Sequence, residues 1–301
     1  DWRIWGLLFS FPFLALRSFL VGITQTKALN MAAFTAVLVN IPLNWLLIFG
    51  FDMGISGAAI ASSSAEMCSL AVLAAYMFRH IDKKAYGLYW RIDITVLKEV
   101  FSISVWSMLQ FFTSVAIWFL FFVAIERLGE TELAVSNIVR SVSALFSVIV
   151  NALASVSGSL GSNLIGAGEK KKVFPLCHKI IRLGYATGIP LIAFALFFHQ
   201  HIIGAYTENP AIVQLAWPPF LVMLLNYFFA LPSYVYLNAV TGTGATRTVF
   251  IFQVITTIAY LFCLWGLDFC DVPLVAYWAV EYLYVILLGT QSVIYLKYKQ
   301  Y

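Results

Sequence analysis

The sequence predicts an all-α polytopic membrane protein. Of its 301 residues, 62% are hydrophobic and 11% are charged, against roughly 25% charged residues in an ordinary soluble domain. The apolar residues form nine runs, each near or above the ~18 residues that a membrane-spanning helix needs. The runs lie at about 4–23, 31–49, 56–78, 97–125, 133–157, 173–198, 211–239, 247–267 and 273–295.

Lysine and arginine are distributed unevenly between the two sides of these predicted helices. If successive loops alternate sides, fourteen of these residues fall on one side and only Arg3 and Arg127 on the other. Cytoplasmic loops carry an excess of Lys and Arg, so we assign the first side to the cytoplasm and residue 1 to the outside. The net charge of +4 reflects this bias and indicates no nucleic-acid partner. The fourteen are Lys27, Arg79, Lys83, Lys84, Arg91, Lys98, Lys170, Lys171, Lys172, Lys179, Arg182, Arg247, Lys297 and Lys299.

Signatures of enzymes and of metal sites are missing from the sequence. The four cysteines are scattered without a CxxC pattern, which predicts small buried side chains rather than a metal site or a disulfide framework. Gly242-x-Gly244 lacks the third glycine of a dinucleotide fingerprint. We therefore predict a protein that is not an enzyme and has no catalytic residue, no metal site and no cofactor.

The first three and the last three runs repeat one pattern. Gly22-Ile23-Thr24-Gln25-Thr26-Lys27 follows the first run and is echoed by Gly242-Thr243-Gly244-Ala245-Thr246-Arg247. In each copy a third run then carries one glutamate, Glu66 or Glu281. Duplicated lobes are common in transporters, which place the binding site near the interface of the lobes.

The longest predicted cytoplasmic link, from about Arg79 to Lys98, separates the two copies. It predicts a partial N-terminal lobe at 1–90 and a C-terminal lobe at 91–301. Three runs precede the link and six follow it. We therefore expect a larger protein whose first three helices are absent from this chain.

Two amides lie inside the second run. Asn40 and Asn44 are four residues apart and share one helix face. Pro42 has no N–H, so the carbonyl of Leu38 loses its usual helical partner. Two amides and a free carbonyl in one region predict a cation or proton site.

A carboxylate on the next run extends this predicted site. Glu66 follows Ser62 by four residues, so two neighbouring helices can turn polar pairs toward a shared space. A charge near the bilayer centre costs on the order of 3 kcal/mol. Glu66 would supply a charge to the site or carry an exchanged proton. The structural alternatives are an ion pair with Arg17 and a hydrogen bond to a neighbouring helix.

Two further runs carry polar stripes at steps of three and four residues, which predict one wall of a water-filled cavity. The alternative is close helix packing through serines. The stripes are Ser104, Ser107, Gln110 and Ser114 in one run and Ser136, Arg140, Ser143, Ser147, Asn151 and Ser155 in the other. The predicted substrate-cavity residues are Gln110, Ser114, Arg140, Ser147, Asn151 and Glu281.

Several of these motifs together resemble the multidrug and toxic compound extrusion (MATE) family, in the order that the family has them. The motifs are Asn40-x-x-x-Asn44, Gly54-Ile55-Ser56-Gly57-Ala58-Ala59-Ile60-Ala61, Leu128-Gly129 followed by Leu133-Ala134, Gly166-Ala167-Gly168-Glu169 and Gly242 to Arg247.

The resemblance implies a twelve-helix antiporter of two six-helix lobes, in which the nine helices here are the fourth to the twelfth. It implies export of amphipathic, cationic organic compounds in exchange for H⁺ or Na⁺ by alternating access. The expected partners are small-molecule substrates and the lipid bilayer, for a monomer in the plasma membrane, which in a bacterium is the inner membrane.

The resemblance also implies a first-lobe cation site with Asn40, Asn44 in place of an Asp, and Ser62 in place of a Thr. The first-helix acid of that site lies outside this chain. Replacing Asp by Asn removes a charge and weakens Na⁺ binding. Another branch of the family carries an acid on its seventh helix. The corresponding run here offers only Gln110, Thr113 and Ser114 at that depth, so that acidic site is not expected in this chain.

Two other functions are compatible with nine apolar runs. A lipid-linked precursor flippase of the same superfamily needs a strongly basic cavity, and only Arg17 and Arg140 lie deep within runs. A non-transporting membrane scaffold predicts that the polar stripes are packed without water.

Overall fold

The computed structural model describes residues 2–82, 84–88, 93–270 and 272–299, with side chains from residue 4 onward. These residues form ten α-helices, and nine of the described helices are long and apolar enough to cross a membrane. The predicted fold class, an all-α polytopic membrane protein, is confirmed. The helices are α1 (Trp2–Gly22), α2 (Thr26–Trp45), α3 (Gly54–His80), α4 (Ile94–Glu126), α5 (Glu130–Gly166), α6 (Val173–Phe197), α7 (His199–Gly204), α8 (Pro210–Gly242), α9 (Thr246–Leu267) and α10 (Leu274–Tyr298).

Most helices extend beyond the apolar runs that predicted them. The run 133–157 lies inside α5, which spans Glu130–Gly166. Hydropathy marks the part of a helix that suits hydrocarbon, whereas the backbone hydrogen bonds continue until a cap ends them. The carboxylate of Asp93 caps α4 by accepting from the backbone N–H of Thr95 at 2.8 Å.

The chain divides into two compact units, 1–92 and 93–301. The predicted lobe boundary between residues 90 and 91 lies outside the described residues.

In the first unit, α3 packs against both α1 and α2 through a stripe of small buried residues. Ser69 Oγ donates to the carbonyl of Ala32 at 3.1 Å, and a Cβ on Gly57 would meet the backbone of Leu47 at 3.0 Å. These two contacts set α2 and α3 antiparallel in a fixed register. Beyond Trp45, α2 continues as a π-helical turn, Leu46–Gly50.

The turn that follows the first helix of each predicted repeat has one backbone conformation. Thr24 has φ 60° and Gly244 has φ 82°. Each of these residues donates its N–H to the carbonyl three residues earlier, at 3.0 Å in both turns. Each accepts from the N–H two residues later, at 3.1 and 2.9 Å. Glycine adopts this left-handed conformation readily, but a β-branched threonine is strained in it.

In the second unit, α8 lies at the centre and packs against α5, α10 and α6. Ser157 Oγ of α5 donates to the carbonyl of Val235 at 2.7 Å. Near the predicted cytoplasmic ends, Gly158 and Gly242 bring the backbones of α5 and α8 into direct contact. Helix α9 lies between α4 and α10. This arrangement leaves α4, α5, α8 and α10 around a common space.

Candidate functional site

The two amides of α2 contact each other. Nδ2 of Asn44 donates to Oδ1 of Asn40 at 2.8 Å, and both side chains are half-buried. The predicted shared face is therefore present. An amide oxygen has two lone pairs, so the pair can still offer acceptors from both residues to a small cation.

The register of α2 against α3 sets the depth of the other predicted cation-site residues. Counting along the two antiparallel helices from their contacts puts Asn40 level with Ser62. Glu66 is one turn from Ser62, a displacement of about 6 Å along the axis. The structure therefore places Asn40 and Ser62 at one depth on adjacent helices, with Asn44 and Glu66 each about one turn away on opposite sides of that level.

Glu66 is oriented by α1. Ser10 Oγ donates a hydrogen bond to Glu66 Oε2, so the carboxylate lies on the side of α3 that packs against α1. The hydrogen bond to a neighbouring helix, one of the two structural roles considered for Glu66, is present.

A cavity of about 520 Å³ lies within the second unit, between α4, α5, α8 and α10. Five of the six predicted cavity residues line it: Ser114, Arg140, Ser147, Asn151 and Glu281. The sixth, Gln110, is half-buried and immediately precedes Phe111, the first α4 residue of the lining.

Aromatic side chains form much of the cavity wall. Flat apolar groups can stack on such rings, and their π faces attract cations. Phe146 and Tyr227 meet edge to face with ring centroids 6.2 Å apart. The aromatic residues of the lining are Phe111, Trp118, Phe146, Tyr227, Tyr234, Trp278 and Tyr284.

The cavity lining carries one guanidinium and one carboxylate. Arg140 donates to Oδ1 of Asn137 at 3.3 Å and lies 5.0 Å from the ring centroid of Phe122. Glu281 accepts a hydrogen bond from the hydroxyl of Tyr260 at 2.6 Å. Arg140 is the one Lys or Arg among the described lining residues, so the strongly basic cavity that a flippase needs is not observed here.

The polar stripe of α5 serves two purposes along its length. Ser136 is buried and accepts from Nε1 of Trp278 at 3.3 Å, which is helix packing. Ser143 and Ser147 line the cavity, and their hydroxyls donate to carbonyls of their own helix at 2.7 and 2.8 Å. Their lone pairs therefore remain as acceptors toward the cavity.

Three polar residues at this cavity were missed by sequence reasoning. Tyr260 holds Glu281, while Gln253 of α9 donates to Ser114 at 3.2 Å and also to the hydroxyl of Tyr284. Asn226 lines the cavity, and its buried Oδ1 has no hydrogen-bond partner among the described residues. Asn226 and Gln253 are uncharged amides within apolar runs, and that placement is their signal in the sequence.

Asn226 and Glu281 lie at nearly the same depth. Helices α8 and α10 run parallel, and Gly289 packs directly on Ser233. Counting back seven residues from this contact on both helices brings Asn226 level with Tyr282, the neighbour of Glu281. The Glu281 carboxylate and the Asn226 amide oxygen, which has no donor among the described residues, therefore lie at nearly the same depth in the cavity wall.

A family model described as MatE matches residues 107–265, more than half of the chain. The chain belongs to the MatE family. The resemblance found in the sequence is confirmed, and this chain is a multi-pass membrane protein of the MatE family.

Curated MatE relatives are similar at low identity. The multidrug resistance protein NorM of Vibrio cholerae is 26% identical over 223 residues, which cover 70% of this chain and 49% of NorM. The multidrug resistance protein MdtK of Pectobacterium atrosepticum is 24% identical over 253 residues, which cover 82% of this chain and 53% of MdtK. The chain thus spans about half the length of these curated relatives.

Solved MatE structures share the fold. The Vibrio cholerae MATE transporter VcmN in the bent form superposes with a TM-score of 0.82 at 16% identity, covering 100% of this chain and 69% of that chain. A MATE protein in the straight conformation superposes with a TM-score of 0.79 at 15% identity, covering 90% of this chain and 62% of that chain.

Proposed function

We propose that the protein exports small amphipathic organic cations across a bacterial inner membrane, as a monomer, by alternating access driven by inward H⁺ or Na⁺. Membership of the MatE family supports this proposal, as do the names of the relatives, which are multidrug resistance proteins. No cofactor other than the coupling ion is required.

The cavity of the second unit is the observation that carries the proposal. It combines stacking surfaces with one carboxylate, and the hydroxyls of Ser143 and Ser147 add acceptors. Its guanidinium already has two partners, Asn137 and the ring of Phe122. A flat guest with a cationic group would stack on the rings and place its charge beside Glu281.

Glu281→Gln tests this mode of recognition. The change keeps the shape of the side chain and removes its charge. A charged hydrogen bond contributes about 1.5–3 kcal/mol, so the apparent affinity for a cationic dye should fall about 10- to 150-fold. The full-length protein in vesicles is measured by dye efflux, and an uncharged dye serves as the control substrate. Equal losses for both dyes, or no loss for either, would contradict charge recognition by Glu281.

We propose that the coupling ion binds in the first unit, among Asn40, Asn44, Ser62 and Glu66. The amide pair and the common depth of Asn40 and Ser62 support this site, and Glu66 lies one turn from Ser62 on the same helix. Entry of one charge supplies about 2.3 kcal/mol for every 100 mV of membrane potential, in addition to the ion gradient.

An Asn40→Ala, Glu66→Gln double variant of the full-length protein should lose efflux driven by a pH or Na⁺ gradient. The matched control is Thr35→Ala, Ser63→Ala, which removes two polar side chains from the same helices. Within the described parts of the chain, both hydroxyls lost in the control bond only to carbonyls of their own helix, at 2.9 Å. Undiminished transport by the first double variant would remove this site from the mechanism.

A further inference from the structure

The outer face of α6 combines cations and apolar residues along a single line. One face of α6 is buried against α5 and α8. The opposite, exposed face starts at Lys172 and Pro175 and continues through Lys179 and Arg182 at helical spacing. Beyond Arg182 it becomes apolar, with Ala186, Ile189, Pro190, Ala193 and Phe197 exposed.

The positive charge of the protein is concentrated at the start of α6 and in the residues just before it. Residues 169–182 contain five Lys or Arg side chains and one Glu, a net charge of +4 that equals the net charge of the whole chain. Glu169 already pairs with Lys172 at 2.6 Å. Lys179 and Arg182 are exposed, and neither has an acidic partner among the described residues.

Arg182 is the last charged residue of α6. From Leu183 to its end at Phe197, α6 contains no Asp, Glu, Lys or Arg. The lysine and arginine bias puts the Arg182 end on the cytoplasmic side. From Arg182 to Phe197 the helix rises about 22 Å, which exceeds the ~15 Å of hydrocarbon in one leaflet.

We propose that the exposed face of α6 binds an anionic phospholipid of the cytoplasmic leaflet. Lys179 and Arg182, one turn apart, hold the phosphate of the headgroup, with Arg182 able to donate two parallel hydrogen bonds to it. The acyl chains lie on the apolar residues from Ala186 toward Phe197. This site is separate from the cavity and does not depend on the transported substrate.

Several features distinguish this face from the other cytoplasmic cations of the second unit. Arg247 at the start of α9 lies 5.4 Å from the ring centroid of Trp106, so its guanidinium already has a protein partner. Lys297 and Lys299 are exposed at the end of α10, but they are two residues apart and so do not share a helix face. Among these described helix ends, only α6 has two exposed cations one turn apart in line with an exposed apolar stripe.

Quenching by brominated lipids tests the proposal in the full-length protein. Ala186→Cys is labelled with a fluorescent bimane after Cys68, Cys263 and Cys270 have been replaced, while the fully buried Cys177 remains. The protein is reconstituted with brominated phosphatidylglycerol or with brominated phosphatidylcholine. We expect phosphatidylglycerol to quench preferentially, with each cation contributing on the order of a fivefold preference.

Lys179→Gln, Arg182→Gln should lower this preference roughly 25-fold, the product of two such contributions. Lys297→Gln, Lys299→Gln removes the same charge from the same side of the membrane and should leave the preference unchanged. Equal quenching by the two lipids in the unmodified protein, or equal losses in both double variants, would overturn the proposal. So would the absence of quenching by either lipid, because protein would then cover Ala186.

Discussion

Replacing Gly242 by alanine should force α5 and α8 apart. A Cβ on Gly242 would press on the carbonyl oxygen of Gly158 and would lie 3.1 Å from its carbonyl carbon and 3.2 Å from its Cα. All three atoms belong to the backbone of a helix, so no side-chain rotation can relieve the contact. The whole helix must move, and α5 and α8 together supply much of the cavity lining.

The size of the effect is the difference between two terms. Overpacking a close contact costs about 1–3 kcal/mol, whereas alanine is favoured over glycine inside a helix by about 0.5–1 kcal/mol. We therefore expect Gly242→Ala to lower the free energy of unfolding by about 1–2 kcal/mol.

Gly22 provides a matched control for this change. It occupies the position of Gly242 in the first repeat, at the end of α1, and a Cβ added there meets nothing within 4 Å. The readout is thermal unfolding of the purified full-length protein with Cys68, Cys263 and Cys270 replaced, followed by exposure of the thiol of Cys177, which is fully buried in α6. The steric reasoning is refuted if Gly242→Ala is as stable as Gly22→Ala.

Two further changes test contacts described above. Thr24→Gly should raise the midpoint of thermal unfolding, because glycine relieves a left-handed conformation that costs about 1–3 kcal/mol for other residues; an unchanged midpoint would show that Thr24 is not strained. Gln253→Leu should lower the free energy of unfolding by about 1–3 kcal/mol, because it removes the hydrogen bonds of a buried amide to Ser114 and Tyr284. Thermal unfolding measures that loss too, and stability equal to the unmodified protein would exclude a structural role for the amide.

The spacing of residues within one helix predicted which side chains of the candidate site share a helix face. Asn40 and Asn44 had to share a face, and their side chains are hydrogen-bonded, because residues four apart are neighbours on any α-helix. The serine steps of α5 likewise located the cavity wall that contains Ser147 and Asn151. The apolar runs predicted the spanning helices for a similar reason, since burial in lipid constrains each run independently of the others.

Contacts between helices distant in sequence were not predictable in this way. Glu66 receives its hydrogen bond from Ser10, and Glu281 receives its own from Tyr260. Both donors depend on how neighbouring helices are rotated and offset, which periodicity within one helix does not specify. Asn226 and Gln253 reach the cavity region for the same reason, through the packing of α8 and α9.

The two glutamates of the repeat have unlike surroundings. Glu66 of α3 is held by a serine hydroxyl from α1, while Glu281 of α10 is held by a tyrosine from α9, the counterpart of α2. Position by position, the duplicated halves are therefore not interchangeable. Mutational data pooled from equivalent positions of the two repeats would combine two glutamates with different hydrogen-bond donors. Each repeat therefore needs its own mutational scan.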